Sequence, residues 1–362
     1  MPIRPRPGIE SLNICPHGGL DYAELERIGV RPEDMLDFSV SGNPFGPPPA
    51  IRGSLMSVVI DRYPDSNSTE LRSALARILD VDAESIIVGN GSMELIRLVA
   101  SAYFGSADTI LIIEPTFGEY EVACRIAGSK ILRVRAQAER SFKFDIAETV
   151  DLICRHHPKG IFLCNPNNPT GQYLNRHEIE EILSASQDSL LILDEAYVAF
   201  AENAWHSLDL IKGEDIVILR SMTKDYALAG LRLGYAVAHP EIIKTLRRVC
   251  PPWNVNAVAQ YAGLLALGDS AYLQRCQEGV RQAKGFLKSE LTQLGLPPLP
   301  SQAHLFLVKV GDGKQFRQDL LKYGIIVRDC ASFGLPEYVR IAPRTMPECQ
   351  RLVLAIKEIL KL

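Results

Sequence analysis

Seven short apolar runs restrict this chain more than any other feature: 86–88, 110–113, 131–134, 161–164, 190–193, 216–219 and 235–237. Each ends in a turn or a polar cluster. Segments with helical periodicity, at 94–102, 117–127 and 178–185, lie between several of them. Runs without polar alternation are what strands covered on both faces require. Strand alternating with helix predicts a three-layer α/β/α domain around a mainly parallel sheet. After Pro251-Pro252 the texture changes. There 256–267 and 271–294 predict long helices, and Pro297-Pro298-Leu299-Pro300 predicts a stiff connection. Strands at 305–310 and 325–328, with helices at 314–323 and 348–362, complete a smaller C-terminal α+β unit. Before about residue 51, abundant Gly and Pro predict an arm or loop rather than core.

A length of 362 residues suggests two domains. The net charge of -4 gives no general bias toward nucleic acid or anionic membrane, so any anion site must come from local cations. No apolar run reaches membrane-spanning length, and residues 1–9, rich in Pro and Arg, lack the apolar stretch of a signal peptide. The eight cysteines (Cys15, Cys124, Cys154, Cys164, Cys250, Cys276, Cys330 and Cys349) contain no C-x-x-C pair. That pattern argues against a zinc site or a disulfide framework and suits a reducing cytoplasm. The expectation is a cytoplasmic chain with no metal, no nucleic-acid partner and no membrane partner.

Ligands of α/β sheets gather at the carboxyl ends of strands. Three polar motifs fall at such ends. Ser221-Met222-Thr223-Lys224 precedes Gly230-Leu231-Arg232, so two hydroxyls and a guanidinium could hold a phosphate while the lysine reaches an aldehyde. Asp194-Glu195-Ala196-Tyr197 places a carboxylate directly after four apolar residues, where it needs a charged or hydrogen-bonding partner. A protonated pyridine nitrogen would serve, and a helix cap is the plainer alternative. Asn165-Pro166-Asn167-Asn168-Pro169-Thr170-Gly171 ends a third run.

In this order the motifs resemble fold type I pyridoxal-phosphate enzymes, in the branch holding histidinol-phosphate aminotransferase and threonine-phosphate decarboxylase. The resemblance implies an aspartate aminotransferase-like α/β fold and pyridoxal 5'-phosphate as cofactor, joined to Lys224 as a Schiff base. Asp194 would pair with the ring nitrogen, Tyr197 and Asn168 with the ring oxygen, and Phe117 would stack on the ring. The phosphate would sit at a helix start formed by Gly91, Ser92 and Met93, with Ser221, Thr223 and Arg232 around it. Met93 stands where many relatives carry an acidic residue, which spares a backbone contact but not a side-chain one. Tyr63 would reach the phosphate of the neighbouring subunit, implying a homodimer with shared active sites. The implied division is an N-terminal arm (1–50) contributing to the small domain and active site, a large cofactor-binding domain (51–270) and a small domain (271–362).

Substrate anchoring then decides which bond breaks. The candidate anchors are His17, Gly18, Asn43, Arg328, Arg340 and Arg344. The His17-Gly18-Gly19 turn, Cys330 after Arg328-Asp329, and Arg344 four residues after Arg340 resemble the decarboxylases. The expected reaction is therefore decarboxylation of O-phospho-L-threonine, a small phosphorylated amino acid, to (R)-1-aminopropan-2-yl phosphate in cobalamin biosynthesis. O-phosphoserine is a close variant. The alternative is histidinol-phosphate aminotransferase, which Asn43-Pro44-Phe45-Gly46 and the 333–338 segment fit as well.

Overall fold

All seven apolar runs become strands of one sheet in a computed structural model, which describes residues 3, 5, 8–10, 12, 14–213 and 215–361. In chain order they are β1 (Ile86–Gly89), β2 (Thr109–Glu114), β3 (Lys130–Arg135), β4 (Gly160–Cys164), β5 (Leu190–Asp194), β6 (Ile216–Ser221) and β7 (Gly234–Ala238). In space they run β1-β7-β6-β5-β4-β2-β3. Neighbours from β6 through β5, β4 and β2 to β3 are parallel, and β7 is antiparallel to both β1 and β6.

Successive side chains of a strand point to opposite faces, so each run feeds two apolar layers. Leu111, Ile161, Leu163, Leu191, Leu193, Ile216 and Ile218 enter one layer. Ile110, Ile112, Phe162, Ile192, Val217 and Leu219 enter the other. Burying each such side chain contributes about 1.5–3 kcal/mol. The edge strand β3 is the exception, with Lys130, Arg133 and Arg135 solvent-facing. Charges on an edge oppose pairing with another chain.

Local chemistry sets the helix boundaries. Asn175 and Glu178 form a reciprocal capping box that opens the helix Arg176–Ala185. The Asn256 side chain accepts from the Ala259 amide and caps Ala257–Leu267.

Two expectations are corrected. The segment before residue 51 is not only arm or loop. It holds the helix Tyr22–Ile28, capped by Asp21 and ended by Gly29 at φ 68. It also holds the strand Leu36–Asp37, which pairs in parallel with Ile325–Ile326. Phe38 then packs, fully buried, in a cluster with Ala283, Leu287, Phe306 and Val339. A few apolar residues among many Gly and Pro concealed this. The single strand expected at 325–328 is split. Ile325–Ile326 joins Leu36–Asp37, while Arg328–Asp329 pairs antiparallel with Tyr338–Ile341. Among the described residues no helix is long and apolar enough to cross a membrane. The reading of residues 1–9 falls largely outside the described residues.

Candidate active site

The ends of β4, β5 and β6 bring Cys164, Asp194 and Ser221 into one cavity of about 460 Å³. Its wall holds Lys224, Asp194, Asn168, Tyr197, Phe117, Ser92, Met93, Ser221, Thr223, Arg232, Arg340, His17 and Gly18, all expected from the sequence. Asp194 is buried. Its Oδ2 accepts from the Tyr120 hydroxyl at 2.7 Å and its Oδ1 from the Ala196 amide at 3.0 Å. Burial raises its pKa, and those two donors bring it only part of the way back. Among the described residues no cation forms a salt bridge with it.

Lys224 is the opposite case. Burial first, then the positive charges of Arg340 and Arg232, lower its amine to about 8. Arg340 donates to the Asn168 Oδ1 and to the Ser39 carbonyl, and its Nε makes no hydrogen bond among the described residues. Asn168 thereby keeps its amide nitrogen as a donor.

An anion cradle forms where β1 turns into the helix Ser92–Tyr103. No side chain caps that helix start, so its first amides remain available. Gly91 has φ 76, and a Cβ there would come within 2.7 Å of the Arg232 guanidinium. Glycine at 91 is what admits Arg232 to the helix start. Ser221 Oγ and Thr223 Oγ1 lie 2.6 Å apart on the other side. Met93 contributes an apolar wall packed on the second layer.

These features suit pyridoxal phosphate. A buried carboxylate in need of a cation sits at one end, an anion cradle lies at a helix start, an aromatic ring forms part of the wall, and a lysine of lowered basicity faces the same space. Capture of an aldehyde needs the neutral amine. The neutral fraction of Lys224 grows with pH and saturates above about 8. Stopped-flow uptake of the cofactor by the apoprotein should therefore accelerate up to about tenfold per pH unit below the bend and level off above it. Arg340→Gln should move the bend upward. A flat profile from about pH 6 to 9 would refute the assignment.

The remaining expected residues lie outside the cavity wall. Asn43 does not face it. Its amide donates to the Lys224 carbonyl at 2.9 Å and its Nδ2 to the Asp225 carbonyl at 3.0 Å, so it holds the lysine's backbone. Arg328 donates to the carbonyls of Pro16 (2.7 Å) and His17 (3.1 Å) and to Ser332 (2.7 Å). Arg344 is turned away, onto the Asp37 carbonyl (3.1 Å) and the Glu348 carboxylate (2.8 Å), where it ties a strand to the helix Met346–Leu360. Tyr63 is 78% exposed and stacks on Trp253 at 4.3 Å.

Sequence reasoning missed Tyr120, Glu119 and the turn Ser39, Ser41 and Gly42, three residues of the cavity wall. Tyr120 had a usable signal, lying three residues after Phe117 on the same side of a helical turn. The serine–glycine turn carries none.

Comparison with known proteins fixes the family. Residues 33–356 match the family described as Aminotransferase class I and II. The histidinol-phosphate aminotransferase of Moorella thermoacetica is 36% identical over 359 residues, covering 96% of this chain and 92% of its own. Seven further curated relatives, 31–35% identical over at least 90% of this chain, carry the same activity name. The histidinol-phosphate aminotransferase from Sinorhizobium meliloti, solved in complex with pyridoxal-5'-phosphate, shares the fold at TM-score 0.87 and 22% identity, over 99% of this chain and 98% of that one. The L-threonine-O-3-phosphate decarboxylase from Porphyromonas gingivalis matches at TM-score 0.79 and 28% identity, over 90% and 99%.

Phosphothreonine decarboxylation, the main expectation from the sequence, is overturned by these relatives, which bear the alternative's name. Two features that favoured it have structural roles instead. Arg344 is occupied by Glu348 and Asp37, and Cys330 is fully buried with its thiol on the Arg328 carbonyl. With a mainly parallel sheet of the aspartate aminotransferase type and a cavity shaped for pyridoxal 5'-phosphate, this chain belongs to the class I and II aminotransferases, and pyridoxal phosphate is its cofactor.

Proposed function

We propose that this enzyme is a histidinol-phosphate aminotransferase. The observation that carries the reading is the 36% identity, across nearly the whole of both chains, to a curated enzyme of that name. When bound, pyridoxal phosphate supplies a carbonyl to take up the amino group and a ring that delocalises electrons from the substrate carbon.

This chain's residues account for the rest. Asp194, poorly solvated and without a salt-bridge partner among the described residues, would pair with the ring nitrogen and favour its protonated form. Tyr197 and Asn168 would hydrogen-bond the ring oxygen, and Phe117 would hold the ring by stacking. The amides at Ser92 and Met93, with Ser221, Thr223 and Arg232, would hold the cofactor phosphate. Lys224, its amine lowered to about 8, is matched to carry a proton to and from the substrate carbon near neutral pH. Arg340 and Arg328 anchor the anionic ends of the two substrates. Arginine suits that task because its planar fork engages carboxylate or phosphate through two hydrogen bonds.

The subunit arrangement belongs to the same proposal. Met56, Ile60 and Tyr63 are 93%, 80% and 78% exposed, with Trp253 against Tyr63. Exposed apolar groups concentrated in this way mark an association surface. They support a homodimer in which Tyr63 serves the partner's site.

The test mixes holoenzyme with glutamate and follows the pyridoxamine form, then adds the keto product of histidinol phosphate and follows its return. Light scattering on the same preparation should give a dimer. Rapid conversion by glutamate, reversed by that keto acceptor, is the expected result. Carbon dioxide release from phosphothreonine without pyridoxamine formation would overturn the proposal.

A further inference from the structure

We infer that Cys15, His17 and Glu119 form a site for a zinc-class divalent cation at the mouth of the cavity. The Cys15 Sγ, a His17 ring nitrogen and a Glu119 carboxylate oxygen lie within 4.8 Å of one another. Zinc bonds of about 2.3 Å to sulfur and 2.0–2.2 Å to nitrogen and oxygen set tetrahedral ligands roughly 3.3–3.7 Å apart. Ligand shifts on the order of 1 Å therefore close the set.

Three details of the structure prepare it. Glu119 is buried at the start of the helix Glu119–Ala127. Arg97 takes its Oε2 at 2.9 Å, leaving Oε1 facing His17 Nε2 at 3.0 Å. Cys15 descends over Gly118, where a Cβ would lie 2.7 Å from the sulfur, so glycine at 118 is what lets the thiol reach Glu119. The His17 ring leans on Phe117, with centroids 5.8 Å apart. Thiolate, imidazole and carboxylate together select a borderline cation such as zinc over magnesium or calcium, with water completing four-coordination.

Charge and protons balance simply. The cation bonds to Sγ and the thiol proton leaves to solvent. In the metal-free protein the His17 Nε2–H donates to Glu119 Oε1; on binding, that proton passes through solvent to Nδ1, so that Nε2 gives its lone pair and Glu119 gives Oε1. Arg97 and Arg328 keep the affinity below that of a closed structural zinc site.

Cys15 and His17 flank Pro16, and Arg328 already donates to the carbonyls of Pro16 and His17. A bound cation therefore fastens this arm across the cavity and holds Arg328 on backbone oxygens. Zinc then acts as an inhibitor that competes with the phosphorylated substrate. This last step rests on the role proposed above for Arg328, whereas cation binding does not.

The test titrates chelator-treated holoenzyme with cobalt(II). One equivalent should bind, giving a sulfur-to-cobalt charge-transfer band and the visible bands of a four-coordinate site. Cys15→Ser should abolish the charge-transfer band and weaken binding by more than about 100-fold, since losing even an outer partner costs ~10–100-fold. Cys154→Ser, which removes an exposed thiol elsewhere, should change neither. Zinc should raise the apparent KM for the phosphorylated substrate in the wild type, reversibly with chelator. Cys15→Ser should keep its metal-free turnover and lose that sensitivity. Absence of the cobalt signal, or its survival in Cys15→Ser, overturns the site. Cobalt bound with KM unchanged under zinc overturns the occlusion. Because the cobalt bands need no turnover, failure of the proposed amino transfer gives a different pattern from failure of the cation site.

Discussion

Lys224→Ala lowers turnover by at least about 10³-fold while leaving the fold intact. A positioned general base alone contributes ~10²–10⁴-fold, and in the proposed mechanism the same amine also holds the cofactor. The fold survives because Lys224 forms no salt bridge among the described residues and its amine is held below its ordinary pKa by burial. Removing a poorly solvated cation that also faces Arg340 and Arg232 relieves repulsion. Thermal denaturation of the apoprotein should therefore show Lys224→Ala at least as stable as the wild type. Visible absorbance should show cofactor held without the lysine linkage. Turnover within tenfold of wild type would remove Lys224 from the chemistry.

Asp194→Asn is the second large effect, and its sign depends on the cofactor. Burial raises the folded-state pKa of Asp194 above its ordinary value. The folded protein thus binds the proton more tightly than the unfolded chain, and stability is lost as pH rises through the raised value. Above that window the ionised carboxylate costs the apoprotein stability, so Asp194→Asn makes the apoprotein more stable near neutral pH. Asparagine can still accept from the Ala196 amide and meet the Tyr120 hydroxyl. With cofactor bound, the same change removes one partner of a buried charged pair. That costs about 3–5 kcal/mol, roughly 10²–10⁴-fold in rate. Melting curves of the apo and loaded forms, with kcat/KM, test both halves. Equal shifts in the two melting temperatures would show that Asp194 does not face the ring nitrogen.

The sheet could be read from the sequence because all its strands but the edge strand β3 are covered on both faces, so each of those appears as an uninterrupted apolar run. Their ends could be read too, since Asp194, Asn168 and Lys224 are polar residues that follow such runs. Elsewhere the controlling interactions join distant segments. Phe38 is core because Leu36–Asp37 pairs with Ile325–Ile326, a contact across nearly the whole chain. Arg344 misled the functional reading although Glu348 stands four residues on, at helical contact spacing, and takes its guanidinium. Cys15 and His17 meet Glu119 from 102 residues away along the chain in the case of His17, which no ligand-spacing motif encodes.

Asn43 has one more consequence. Its two hydrogen bonds grip the main chain at Lys224 and Asp225. Its own segment begins at the strand that pairs with Ile325–Ile326 and passes Ser39, whose carbonyl takes Arg340. The Lys224 backbone and the Arg340 guanidinium are thus tied to one and the same segment. A displacement of this segment would therefore carry the Lys224 backbone and the Arg340 guanidinium together.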